Sequence, residues 1–142
     1  MSANHELFHT LHQLSRLLTK ETIQALQPFD LYSAQWSVIY TLHTKGPMTQ
    51  TALRDYLAVE APPLTRNVQR LVKKEIVKQV PGNDKRSKTI ELTAYAKREY
   101  PEWEKAVVQA NEQMLAHIPK RSRDSLEHTL KEWIASISLP KE

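Results

Sequence analysis

The sequence predicts a mainly α-helical chain that carries one small β-hairpin, an α+β arrangement with a basic lobe in the middle and long helices at both ends. Three observations carry this. Apolar residues recur every three to four positions over most of the 142 residues, the period of an amphipathic helix. The period drops to two only beside Pro81-Gly82-Asn83-Asp84, a cluster of turn residues. Finally, residues 61–93 hold eight Lys and Arg against three Asp and Glu, a net +5; the whole chain is +4, so everything else carries −1. Positive charge gathered on one stretch of an otherwise near-neutral chain points to a polyanion partner, and double-stranded DNA is the obvious one.

From His5 to about Gln27, Leu7, Leu11, Leu14 and Leu18 share one side of a helix at coiled-coil-like spacing, with His5, His9 and His12 opposite. Pro28 ends it. Ser33 is placed to cap a second helix, Ala34 to about Thr44. Its Val38, Ile39 and Leu42 share a face with Gln35, while Trp36, Tyr40 and His43 form another. A helix apolar on two sides is sandwiched between neighbours. Gly46-Pro47 breaks the chain, and Thr49 caps a short helix through Leu57 with Leu53 and Leu57 facing inward. Gln50 and Thr51 stand at its start, where backbone N–H groups suit phosphate.

Val59 to Ala61 makes a turn into the basic helix. Pro62 is expected as its cap and Pro63 as its first residue, where a missing N–H costs nothing. Leu64, Val68, Leu71 and Val72 cluster on one side, with Arg66, Arg70 and Lys73 opposite and Gln69 beside them. Arg and Gln can bond bidentately to guanine and adenine edges in a major groove wide enough for a helix, whereas Lys mostly meets phosphate. A short helix, a turn and a basic helix form the helix-turn-helix arrangement, in which the first helix props the second. The β-prone runs Val77–Val80 and Lys88–Leu92 then form a hairpin with Asp84, Lys85, Arg86 and Lys88 at or near its tip.

Thr93 caps a long helix to about Ile118, with Trp103, Val107, Ala110, Met114 and His117 in a stripe and a kink expected at Pro101. The last helix, about Arg121 to Ile137, aligns Leu126, Leu130, Trp133, Ile134 and Ile137. Apolar stripes on the first and last helices are natural material for a two-fold interface, with packing inside one monomer as the competing reading.

Composition narrows the function classes. There is no cysteine, hence no disulfide or thiol switch. No nucleophile elbow, H-E-x-x-H motif or phosphate-binding glycine loop occurs, and the chain has only two glycines; neither an enzyme nor a cofactor is expected. No segment reads as a signal peptide or membrane span, so no membrane partner is expected and the cytoplasm is the default location.

Asp84-Lys85-Arg86-Ser87, followed by Ile90, Leu92 and Thr93, resembles the D-x-R-S wing signature of the MarR-type winged-helix transcription regulators. The preceding Leu64-Thr65-Arg66 to Leu71, leaving through Lys74-Glu75-Ile76-Val77, is similar to their recognition helix and its exit. Two positions depart from the family pattern, Glu75 and Ala96, where glycine is usual. The resemblance implies a winged helix-turn-helix lobe over residues 31–100 and a helical dimerisation region made of 1–30 and 101–142. It implies a homodimer on a pseudo-palindromic operator, with the recognition helix in the major groove and Arg86 in the minor groove, oriented by Asp84.

The site expected on this basis comprises Arg66, Gln69 and Arg70 at or near bases, Thr65 and Lys73 on phosphates, and Asp84, Lys85, Arg86 and Lys88 on the wing. The resemblance also places an effector cavity beside the second helix, which His12, Trp36, Tyr40 and His43 would line for an aromatic or amphipathic small molecule. Other readings are a metal-responsive regulator using His5, His9 and His12, whose i,i+4 spacing lets a pair share a metal, and a winged helix used only for protein contact.

Overall fold

The 3.6-residue apolar period becomes six α-helices in a computed structural model that describes residues 3–82 and 87–138. The order is α1 (Ala3–Leu26), a 3-10 turn (Gln27–Phe29), α2 (Ser33–Lys45), β1 (Met48–Thr49), α3 (Gln50–Leu57), α4 (Ala61–Lys73), β2 (Val77–Pro81), β3 (Lys88–Leu92), α5 (Ala94–Met114) and α6 (Lys120–Ser138). The chain divides into two compact units, Met1–Val108 and Gln109–Glu142.

The hairpin forms in the register its alternation demands, Val77 opposite Leu92 and Pro81 opposite Lys88. Val77, Ile90 and Leu92 are buried. A third strand escapes the sequence pattern: β1 pairs Met48 with Ile90 and Thr49 with Thr89, making an antiparallel sheet of order β1-β3-β2. Two residues cannot display a period, so β1 reads as loop until its partner is in place. Beneath the sheet, α2, α3 and α4 bury Val38, Ile39, Leu42, Leu53, Leu64, Val68 and Leu71 in one core.

Several boundaries differ from expectation. Tyr32, not Ser33, takes the N-cap position of α2, and Gln35 Oε1 accepts the Tyr32 N–H at 3.3 Å. A long side chain one turn in reaches back to the N–H of the cap residue itself, the reciprocal bond of a capping box. α4 starts at Ala61 with Glu60 at its cap, so both Pro62 and Pro63 lie inside the first turn; none of the first N–H groups has an intrahelical acceptor, so two prolines are as harmless there as one. The first intrahelical bond is Leu64 N–H to Glu60 O at 3.3 Å. Val72, expected in the core, is 39% exposed, because it sits at the edge of the stripe that Leu71 occupies.

Thr93 caps α5 as expected, accepting the Ala96 N–H at 3.1 Å. The helix runs on through Pro101 but stops at Met114, short of Ile118, which precedes a proline and is therefore steered away from α geometry. Ala96, Tyr100, Trp103 and Val107 are its buried residues. In the second unit Arg123 closes the turn before α6, donating to Leu115 O at 2.7 Å and Ile118 O at 2.8 Å.

The terminal helices behave differently from the middle. On α1, Leu7, Leu14 and Leu18 are exposed, and on α6 Leu126, Leu130, Ile134 and Ile137 are, the last two at 60% and 72%. Among the described residues no helix is long and apolar enough to cross a membrane.

Candidate nucleic-acid interface

The outward face of α4 is built by its own core. Leu64, Val68 and Leu71 are buried at the helical repeat, which forces Arg66, Gln69, Arg70 and Lys73 to the exposed side. None of these four side chains has a hydrogen-bonding or acidic partner among the described residues. Other cations of the segment are engaged. Lys78 pairs with Glu91 at 3.3 Å, and Lys74 Nζ turns back to the Asp30 carbonyl and to Gln35 Oε1 at 3.3 Å. The arginine-rich row is thus held outward by geometry and makes no side-chain bond among the described residues.

Thr65 joins α4 to the helix that props it, accepting from Gln50 Nε2 at 2.6 Å. Its hydroxyl proton remains available to a phosphate oxygen. Thr49 Oγ1 caps α3 by taking the Ala52 N–H at 3.1 Å. A cleft of about 360 Å³ opens between the start of α3 and the hairpin, lined by Thr49, Gln50, Thr51, Gln79, Ser87, Lys88 and Ile90. It brings the Gln50 and Thr51 expected at phosphate and the Lys88 expected on the wing to one place. Gly82 narrows the hairpin: its N–H donates to Ser87 O at 2.8 Å, and a Cβ there would stand 2.8 Å from the same oxygen. Asp84, Lys85 and Arg86 lie outside the described residues.

The expected effector residues are distributed along α2 and α1. Trp36 is buried, while Tyr40, His43 and His12 are exposed. Tyr100, which the sequence reading passed over, gathers two of them: its ring stacks on His43 at 3.7 Å and on Trp36 at 5.4 Å. Tyr100 donates to Glu104 at 2.9 Å, and burial, with that carboxylate beside it, drives its phenol pKa far above the ordinary value. The signal was there, since Ala96, Tyr100, Trp103 and Val107 follow the helical repeat. His43 also lines a cleft of about 420 Å³ with Leu42, Gly46, Pro47, Glu91, Leu92 and Lys97. His5, His9 and His12 stand exposed along α1, and among the described residues no three His, Asp or Glu side chains are grouped to hold a metal ion.

A propping helix, an arginine-bearing helix and a hairpin closed by a third strand define a winged helix-turn-helix DNA-binding regulator rather than an enzyme. Residues 31–88 match the model of the MarR family. The chain is 38% identical to an uncharacterised HTH-type transcriptional regulator, YwoH, of Bacillus subtilis over 92% of its own length and 96% of that protein's. It is 32% identical to the multiple antibiotic resistance protein MarR of Escherichia coli, over 66% of this chain and 70% of that one. A cysteine-to-serine variant of the same E. coli MarR, solved with operator DNA, superposes with a TM-score of 0.81 at 25% identity, covering 91% and 94% of the two chains. The protein belongs to the MarR family of transcriptional regulators.

Proposed function

We propose that the protein is a homodimeric repressor that binds a pseudo-palindromic operator in the cytoplasm and is released by a small-molecule effector. The observation that carries the DNA-reading part is the row Arg66, Gln69, Arg70 and Lys73, exposed on α4 with no side-chain partner among the described residues. Arg66, Gln69 and Arg70 face base edges, while Thr65 and Lys73 hold phosphates. On the wing, Arg86 enters the minor groove with Asp84 orienting its guanidinium, and Lys85 and Lys88 add charge beside the DNA. The relative crystallised with operator DNA supports this reading.

Dimerisation is supported by the unburied leucines and isoleucines of α1 and α6. In this reading residues 31–100 are the DNA-binding lobe, and 1–30 with 101–142 pair the two copies. Recognition helices then stand about one DNA turn apart, roughly 34 Å. The effector contacts Trp36, Tyr40, His43 and His12 and acts by favouring the lobe spacing that does not fit DNA, to the extent that it binds that state more tightly.

Selection of duplexes from a random library by the purified protein tests class, symmetry and spacing together; a two-fold site with half-sites one turn apart is expected. Arg70→Ala should weaken binding to the selected duplex by about 1–3 kcal/mol and leave the melting temperature unchanged. Unaltered affinity in a gel shift would remove α4 from the groove.

A further inference from the structure

Lys73 and Lys74 are neighbours in sequence and opposite in surroundings. Lys73 ends α4 exposed, with no partner among the described residues. Lys74, the C-cap of the helix, has its ammonium caged: it donates to the Asp30 carbonyl and to Gln35 Oε1 at 3.3 Å, lies 3.6 Å from Asp30 Oδ2, and sits 5.5 Å from the centre of the Tyr32 ring. All of these anchors belong to the corner where the chain leaves α1 and enters α2. Four contacts on one ammonium, reaching 44 residues back along the chain, are more than a solvated surface lysine makes.

The corner also holds unfavourable local structure. Asp30 and Glu75, on either side of the cage, both have left-handed backbones, at φ 55° and 62°, without being glycine. Gln35 is fully buried, spends its carbonyl oxygen on Tyr32 N–H and Lys74, and leaves Nε2 without a partner among the described residues. A buried amide nitrogen without a partner among the described residues and two non-glycine left-handed helix ends thus gather around one ammonium.

We infer that Lys74 is a positioning residue for DNA recognition: it fixes the C-terminal end of α4 to the α1–α2 corner, so that Arg66, Gln69 and Arg70 meet the groove at one angle, without itself touching DNA. The inference rests on the DNA-binding reading above. It also gives a route by which a shift at the end of α1 reaches the recognition helix, since the corner and the helix exit share the ammonium.

Three variants of the full chain decide it: K74M, K74R and, as the phosphate-contact control, K73M. Each is titrated over a salt series with the duplex that the wild type selects from a random library and with a scrambled duplex of the same composition. K74M should bind the selected duplex about tenfold more weakly, equal to 1.4 kcal/mol, bind the scrambled duplex as the wild type does, and keep the wild-type salt slope. K74R, whose guanidinium can donate to both oxygens, should recover most of the loss. K73M should weaken both duplexes and lower the salt slope by about one.

A slope reduced in K74M as in K73M would show that Lys74 meets phosphate and overturn the inference. So would K74M with a lower melting temperature but wild-type discrimination, the mark of a merely structural lysine. Amide hydrogen exchange separates the failure of this inference from that of the DNA reading. The Glu75 and Ile76 N–H groups, bonded to Val72 O and Leu71 O at 2.9 Å, should exchange at least about fivefold faster in K74M, whether or not DNA binds. Unchanged exchange would sink the clamp, whereas a wild type that binds no duplex would sink the reading it rests on.

Discussion

The middle of the chain and its two terminal helices use the same kind of amphipathic pattern and end in opposite states. Around the sheet, the apolar stripes find partners inside the chain: Leu53, Leu64, Val68 and Leu71 are buried, and the outer face of α4 is mainly Arg66, Gln69, Arg70 and Lys73, with Val72 at its edge. On α1 and α6 the stripes stay outside, with Leu7, Leu14, Leu126 and Ile134 all exposed. A periodic apolar row therefore fixes that a helix has something to cover it, not whether the cover is the same chain or another copy. Burial within the chain marks a lobe with its own core, and the exposed rows are what the proposed pairing of two copies would cover.

The sharpest way to break this contrast is to cut one side chain from each region. Leu71→Ala, at a fully buried site, should destabilise by about 2–5 kcal/mol, and the urea midpoint should fall at every protein concentration. Ile134→Asp, at an exposed site, should leave the lobe folded and, if two copies pair as proposed, shift the association equilibrium towards monomer, each copy losing about 1.5–3 kcal/mol of apolar cover. Sedimentation at several concentrations reads the difference. If Ile134→Asp left the association constant untouched, α6 would not be the pairing surface, and the exposed row would need another cover.

The same contrast explains how much was legible beforehand. The Leu64, Val68 and Leu71 spacing, the hairpin around Pro81-Gly82 and the Thr93 cap are local signals, each carried within a few residues, and all three stand where the pattern put them. What the sequence hid depends on partners distant in the chain. β1 exists only because β3 lies beside Met48 and Thr49. In the sequence Lys74 is one more cation of a basic stretch at the helix exit; only the fold brings Asp30 and Gln35 to it. His43 joins Tyr100 across two helices by ring stacking that no spacing encodes, and His12 gains no such neighbour among the described residues. The arginine row of α4 could be read because it follows from the core beneath it; the cavity residues could not, because they depend on how separate helices meet.

The smallest expected effect tests the join between readable and hidden structure, at Glu75. Glycine is usual at this place in the resembling pattern, and here a glutamate holds φ at 62°. The conformation is imposed from both sides. Glu75 N–H donates to Val72 O at 2.9 Å, closing α4, and its carbonyl accepts from Thr93 Oγ1 at 2.7 Å, tying the helix exit to the start of α5. Neither bond involves the glutamate side chain, which is exposed, so glycine preserves both and removes only the Cβ clash of the left-handed region. Set against the extra freedom glycine brings to the unfolded chain, the net gain for Glu75→Gly is about 0.5–1 kcal/mol, read as a melting temperature higher by about 2–4 °C. Glu75→Ala keeps the Cβ and removes the charge, so it should gain nothing. If alanine stabilised as much as glycine, repulsion by the carboxylate rather than backbone strain would be the burden at this exit, and the left-handed geometry would be costing the fold nothing measurable.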